Sequence, residues 1–292
     1  MAKLSPGARL RQATEESAIQ APGAPSALFG RLIERMGYEA VYLSGAAISA
    51  GVLGLPDVGL MTLPELVQQA TYLTRSVKIP VIADADTGFG DTVNVERTVI
   101  ELEAAGVAAI QLEDQELPKR CGHLSGKRIV ETGVMCAKIR AAVAARRDPN
   151  LVIIARTDAR DSLGLPEAIE RSQRYLEAGA DWIFPEALAN RKEFEAFVAQ
   201  IDAPLVANMT EFGKSPLLTA DELAEMGYAV ILYPVTLLRV AMKAAEAALA
   251  TLGAEGTQRD LLEIMQTREE LYELIDYKNF EAKDQRYFGG SK

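Results

Sequence analysis

Two short patterns alternate along this chain, and together they leave few folds open. In the first, a glycine closes a helical stretch and an apolar run follows it. It occurs as Gly37-Tyr-Glu-Ala-Val-Tyr-Leu, Gly106-Val-Ala-Ala-Ile-Gln-Leu, Gly179-Ala-Asp-Trp-Ile-Phe-Pro and Gly227-Tyr-Ala-Val-Ile-Leu-Tyr. In the second, the run starts at a proline: Pro80-Val-Ile-Ala-Asp84, Pro149-Asn-Leu-Val-Ile-Ile-Ala-Arg156 and Pro204-Leu-Val-Ala-Asn208. Runs this short and this continuously apolar read as parallel strands buried on both faces. Between them lie helical stretches such as Asn94 to Ala105, whose Val95, Val99, Leu102 and Ala105 share one face. Seven such strands fall between Val41 and Tyr233, and a weaker run at Ile19 to Ala24 supplies the first of eight.

Eight strands alternating with helices predict an α/β fold of the (β/α)8 TIM-type barrel, with a doubly wound sheet as the structural alternative. No Pro/Ser-rich linker divides the sequence, so residues 1–292 read as one domain. The tail 256–292 is then a C-terminal helical extension, packed outside the barrel or on a neighbour.

Composition narrows the partners. The chain carries 31 Lys+Arg against 41 Asp+Glu, a net charge of −10. That balance argues against nucleic acid or an anionic membrane, both of which need a basic footprint. Two cysteines, Cys121 and Cys136, make no disulfide framework. The N-terminus has no apolar signal-like run, and the most apolar stretch, Ala229 to Leu238, falls well short of the roughly 20 residues of a membrane span. The expectation is a soluble cytoplasmic protein acting on a small molecule.

In such a barrel the functional groups stand at the C-terminal ends of the strands. Seven residues after each repeat glycine come Ser44, Glu113, Glu186 and Pro234. The proline-type strands end in Asp84 and Asp86, Arg156 and Asp158, and Asn208 and Thr210. Asp84-Ala-Asp86 is the metal candidate, because residues i and i+2 of a strand face one side. With Asp57, Glu113 and Glu186 expected nearby, the pair suits an oxygen-preferring cation such as Mg2+. Acids that merely cap the next helix are the plainer reading of Asp-x-Asp alone.

The second feature is Lys119-Arg120-Cys121-Gly122-His123-Leu124-Ser125-Gly126-Lys127, a basic loop holding the only histidine. A thiol flanked by cations is expected to have a stabilised thiolate. The loop's place just beyond a strand end suggests a substrate lid. Cys136 lacks such neighbours and reads as structural. One histidine and two distant cysteines build no zinc site, and neither a Gly-x-Gly-x-x-Gly nor a Gly-x-x-x-x-Gly-Lys-Ser/Thr phosphate loop occurs.

Lys119-Arg-Cys-Gly-His123, with Tyr42-Leu-Ser-Gly45, Asp84-Ala-Asp86, Ile110-Gln-Leu-Glu-Asp-Gln115 and Met265-Gln-Thr-Arg-Glu-Glu-Leu-Tyr272, closely resembles the 2-methylisocitrate lyase family. That family is a branch of the isocitrate lyase and phosphoenolpyruvate mutase superfamily, and the resemblance runs from about Ser5 to Tyr287. It implies a barrel whose last helix is exchanged between subunits of a homotetramer. It also implies Mg2+-dependent cleavage, with Mn2+ as an alternative, of 2-methylisocitrate to pyruvate and succinate in the propionate-degrading methylcitrate cycle. Carried over by resemblance, Asp84 and Asp86 hold the metal, with Asp57 and Glu113 helping through water. Ser44, Gly45 and Ala46 take the pyruvate end, where Ala46 replaces the family's usual glycine and narrows the seat by a methyl. Cys121, Gly122, Arg156, Glu186, Asn208, Thr210, Arg239 and Arg268 bind the rest of the tricarboxylate. Cys121 donates a proton to the succinate carbanion, Lys119, Arg120 and His123 stabilise its thiolate, and Tyr42 takes the hydroxyl proton. Phe184-Pro-Glu186 and Leu232-Tyr-Pro234 match the 2-methylisocitrate lyase branch and are expected to form an apolar seat for the extra methyl. The rivals are phosphonomutases and oxaloacetate decarboxylases of the same fold, plain isocitrate lyases, and a non-catalytic barrel that senses a 2-oxoacid.

Overall fold

The computed structural model describes residues 4–124 and 126–288. Residues 1–3, Ser125 of the basic loop and the last four residues of the tail lie outside the described residues. The chain divides into two compact units, 1–237 and 238–292. The division therefore falls at the start of the long helix Thr236–Glu255, upstream of residue 256.

The first unit contains eight strands: β1 (Ile19–Pro22), β2 (Val41–Leu43), β3 (Val81–Asp84), β4 (Ala109–Glu113), β5 (Val152–Thr157), β6 (Trp182–Pro185), β7 (Val206–Asn208) and β8 (Val230–Tyr233). All pair in parallel, as a ladder β2-β3-β4-β5-β6 and a second, β1-β8-β7. Parallel bridges Gly23↔Tyr42 and Ile183↔Leu205 join the two ladders at both seams. The sheet closes on itself, which is the expected barrel rather than a doubly wound sheet. Helices such as Leu63–Ser76, Thr92–Ala105, Thr132–Ala145 and Leu165–Glu177 alternate with the strands.

The repeat glycines work as the sequence predicts. Gly106 and Gly227 end their helices at φ +90° and +107°, where a Cβ is penalised, and turn the chain directly into β4 and towards β8. Each strand then faces two cores. Ile82, Ile154, Trp182, Phe184, Val206 and Leu232 fill the barrel interior, while the alternate residues Val81, Ile110, Ile153, Ile183 and Ile231 pack against the helices. Helix Pro6–Glu16 closes the bottom. Its Leu10 is fully buried in the interior cluster, and Arg11 bonds the Asn150 carbonyl and Asp181 beside the strand starts. A Cβ on Gly7 would overlap the Asn150 carbonyl, so only glycine permits that approach.

The second unit holds nearly all of helix Thr236–Glu255, a 3-10 turn Arg259–Ile264, and helices Arg268–Leu274 and Tyr277–Tyr287. Thr267 and Glu270 form a capping box at the start of the third, and the Tyr272 and Tyr277 rings stack at 4.5 Å. Among the described residues, no helix is long and apolar enough to cross a membrane.

Candidate active site

Following the interior positions one step further along each strand gives the mouth. Ser44 follows Tyr42, Asp84 follows Ile82, Arg156 follows Ile154, Glu186 follows Phe184 and Asn208 follows Val206, each two residues on. On β4 the interior step runs from Ala109 through Gln111 to Glu113. Period-two alternation therefore carries the apolar interior into a polar ring at the C-terminal face.

The acids meet by a different geometry from the one expected. β3 ends at Asp84, and Asp86 sits in the left-handed region at φ +48° rather than continuing the strand. The Asp86 amide bonds back to Asp84 Oδ1 at 3.2 Å, and a turn replaces the i, i+2 strand relation. Both carboxylates still converge: a Cβ on Gly45 would lie 3.2 Å from Asp84 Oδ2 and from Asp86 Oδ1. Glycine at 45 lets its own amide reach Asp84 Oδ2 at 3.2 Å. A non-glycine residue in the left-handed region stores strain of order 1 kcal/mol, which the surrounding structure must hold.

Lys119 joins this group from above. Its ammonium bonds Asp57 and lies 2.6 Å from Asp86 Oδ1. That contact lacks hydrogen-bond geometry, so Asp86 Oδ1 is ion-paired but not hydrogen-bonded. Burial, and then Asp84 and Asp57, push the Asp86 carboxyl up to about 6 against the pull of Lys119. Glu113 is raised well above its ordinary value, chiefly by burial, although Arg156 and Lys119 oppose this. Its Oε1 makes no hydrogen bond.

Tyr42 is buried and donates to Gln111 Oε1 at 2.8 Å, and Gln111 donates in turn to Asp84 Oδ1 at 3.0 Å. Burial and the charge on Asp84 raise its phenol well above the ordinary value. That hydrogen bond commits the Tyr42 proton to Gln111.

The basic loop lies over the mouth of the barrel. A Cβ on Gly122 would overlap Arg156 Nη2, so the backbone alone fits there. His123 Nδ1 accepts from the Lys214 amide at 2.9 Å, which assigns the proton to Nε2 and directs it to Glu186 Oε1 at 2.7 Å. Asn208 Nδ2 donates to both Glu186 oxygens at 3.2 Å. Glu186 stays below the usual carboxylate range: burial opposes its charge, but Arg156 and the His123 hydrogen bond outweigh burial. Arg156 forks onto Asp158 at 2.9 and 3.2 Å, and its guanidinium lies 5.2 Å over the Phe184 ring.

These contacts correct the thiolate expectation. Lys119 is committed to Asp57 and Asp86, and His123 donates from Nε2 to Glu186. Burial first, with Glu186 and Asp57, raises the Cys121 thiol above its ordinary value, although the His123 backbone N–H and Arg156 pull it down. Cys121 is free and half-buried. Cys136, by contrast, is buried in helix Thr132–Ala145.

Ala46 and Thr210 are half-buried, Ala46 in the first turn of helix Gly45–Gly51, which Ser44 caps. Arg239 and Arg268 belong to the second unit. Phe184 and Leu232 are interior core residues, and Phe184 also supports Arg156. Sequence reasoning gave no individual role to Gln111 or Asp114. For Gln111 the available signal was a polar residue inside an otherwise apolar strand, which must find a buried partner.

A divalent cation fits this donor set. The oxygens are hard, and Asp86 Oδ1 and Glu113 Oε1 are buried without hydrogen bonds. Among the described residues no three Asp, Glu, His or Cys side chains cage a cation by themselves. Mg2+ does not require a cage, since it commonly takes one or two carboxylates and completes its shell with water and substrate.

Residues 10–252 match the family described as phosphoenolpyruvate phosphomutase. A 2-methylisocitrate lyase of Aeropyrum pernix is 53% identical over 280 residues, 96% of this chain and 90% of that protein. Its Escherichia coli counterpart is 44% identical over 290 residues, 99% and 98% of the two chains. Among solved structures, a 2,3-dimethylmalate lyase superposes with a TM-score of 0.93 at 35% identity, covering 99% of this chain and 98% of that one. The identities and the near-complete coverage agree with the barrel and its acidic mouth: the chain belongs to the phosphoenolpyruvate mutase and isocitrate lyase superfamily, among the 2-methylisocitrate lyases.

Proposed function

We propose that this chain is a carbon–carbon lyase that cleaves 2-methylisocitrate to pyruvate and succinate, as in the methylcitrate cycle of propionate degradation. The observation that carries this reading is the loop laid over the mouth, with Cys121 and Gly122 beside Arg156 and Glu186 and across from the acid cluster. Asp84 and Asp86 would hold Mg2+, with Asp57 and Glu113 acting through water; a solved phosphonopyruvate hydrolase of the same superfamily carries Mg2+ with oxalate. What a bound divalent cation supplies is neutralisation of charge on the oxygen that loses its proton.

The remaining chemistry is done by side chains. Ser44, Gly45 and Ala46, at a helix N-terminus, offer the pyruvate end its seat. The hydroxyl proton leaves and the C2–C3 bond breaks. The electron pair stays on the carbon beside a carboxylate, and the thiol of Cys121 protonates that carbon to give succinate. Glu113 Oε1, buried and without a hydrogen bond, suits the hydroxyl proton better than Tyr42, which instead holds Gln111 against Asp84. Arg156, with Asn208 and Thr210, supplies polar and cationic partners for carboxylates, with which an arginine can pair bidentately; the resemblance alone adds Arg239 and Arg268.

Helix Thr236–Glu255 buries none of its residues, yet Val240, Met242 and Leu249 are each more than half exposed. That unpartnered face supports the proposed homotetramer with an exchanged helix, a cytoplasmic assembly of one domain per chain.

Product analysis in D2O tests the assignment. With Mg2+, 2-methylisocitrate must give pyruvate and succinate one for one, with one deuterium entering succinate. Excess chelator must stop the reaction and Mg2+ must restore it. Full activity in chelator, or pyruvate without succinate, would sink the reading.

A further inference from the structure

Lys127 has no part in the chemistry above, yet it is among the most completely buried charges in the first unit. Its side chain and that of Asp158 are both 0% exposed. Its ammonium has two partners from different parts of the fold. One is Asp158 Oδ1, at 2.9 Å, just beyond β5; the other is the carbonyl of Gly122, at the crest of the loop. Burying an ammonium is costly unless its partners are well placed, so a lysine that merely filled space would be replaced at a gain by an apolar residue.

Asp158 is a fixed post. Its amide donates to Asp114 Oδ1 at 2.8 Å, and the Thr157 hydroxyl donates to Asp114 Oδ2 at 2.8 Å. The same carboxylate that receives Lys127 holds the Arg156 fork. Gly122 lies against that fork, where any side chain would overlap Arg156 Nη2. Three things therefore meet at one carboxylate: the barrel, the substrate-facing arginine and, through Lys127, the backbone next to Cys121. Lifting the loop takes the Gly122 carbonyl from a buried ammonium and leaves a donor unsatisfied inside the protein, which is costly.

We infer that Lys127 is a positioning residue that latches the Cys121 loop over the barrel by bridging the Gly122 carbonyl to Asp158, and so ties closure of the loop to the orientation of Arg156. The inference rests on the lyase reading only for what Arg156 and Cys121 do to the substrate; the latch itself is geometry.

The test follows the loop through the thiol. Iodoacetamide labelling of Cys121, read peptide by peptide in the mass spectrometer, is measured for wild type, Lys127→Met and Lys127→Gln. The methionine keeps the length and loses both partners; the glutamine keeps a donor for the carbonyl but not the charge. Lys127→Met must label Cys121 at least tenfold faster than wild type, and Lys127→Gln must fall between. Loss of a nearby cation alone raises a thiol's pKa and slows labelling, so a purely electrostatic role moves the rate in the opposite direction. Pyruvate with succinate must slow labelling in wild type and must do so far less in the variants. In turnover, kcat falls at least tenfold while pyruvate binding at the Ser44–Ala46 seat stays within twofold. If Lys127→Met does not fold, Lys127→Gln decides. Labelling at or below the wild-type rate in a folded variant overturns the latch. Faster labelling in an enzyme whose wild type ignores 2-methylisocitrate would keep the latch and discard the lyase reading.

Discussion

Cys121 is the proposed proton donor, and its surroundings suit an acid. A thiolate would lie half-buried beside Glu186, with Lys119 and His123 committed elsewhere. A group that must hold a proton until a carbanion forms is helped by that arrangement. Labelling of wild-type Cys121 across pH should therefore rise with a midpoint above the ordinary thiol value of about 8.5. A midpoint below 8 would restore the thiolate reading. Cys121→Ser should lower kcat at least a hundredfold, about 2.7 kcal/mol in the barrier, with the melting temperature unchanged. Asp158 shows the opposite balance. Burial opposes its charge, but Arg156 and Lys127 hold its carboxyl down to about 2. An unfolded aspartate titrates near 3.9, so the resulting stability, on the order of 2 kcal/mol, is present above about pH 4 and lost as pH falls towards 2. Urea midpoints of Asp158→Asn should be well below wild type at pH 7, since two buried cations lose their partner, and the difference should narrow below pH 4. A constant difference across that range would contradict the account.

At the scale of elements, the strands were legible because a parallel barrel strand must be apolar on both faces, and the chain repeats that demand after each glycine or proline. Even the weak run at Ile19 forms β1, since its Ile19 and Ala21 complete the interior. Helix Pro6–Glu16 was not foreseen, because its role depends on Leu10 reaching an interior assembled from strands far along the chain. Leu10→Ala should lower the unfolding free energy by about 2–5 kcal/mol, the usual cost of a fully buried leucine, measured by urea denaturation. A loss under 1 kcal/mol would mean that the helix does not plug the barrel. The mouth divides in the same way. Ser44, Asp84, Glu113, Arg156, Glu186 and Asn208 were legible from strand period alone. The turn at Asp86, the Tyr42–Gln111–Asp84 chain and the Lys119 bridge to Asp57 were not, because each joins residues through contacts that no local pattern encodes.

Over the whole molecule, a chain with ten more acids than bases is asked to bind a tricarboxylate. In the first unit Lys119 and Arg156 are drawn onto buried acids at the C-terminal ends of the strands, so cations stand fixed beside the proposed carboxylate site. The same barrel serves several reactions. The solved relatives include an oxaloacetate acetylhydrolase at 34% identity and a phosphonopyruvate hydrolase at 31%, so the fold alone does not choose the substrate. The most direct test compares kcat/KM of the purified chain with Mg2+ on 2-methylisocitrate, isocitrate, oxaloacetate and phosphonopyruvate. One methyl in an apolar pocket is worth about 1–3 kcal/mol, so 2-methylisocitrate should exceed isocitrate by at least tenfold, with the other two showing no turnover. Equal efficiency on isocitrate, or a faster reaction with oxaloacetate or phosphonopyruvate, would contradict the assignment.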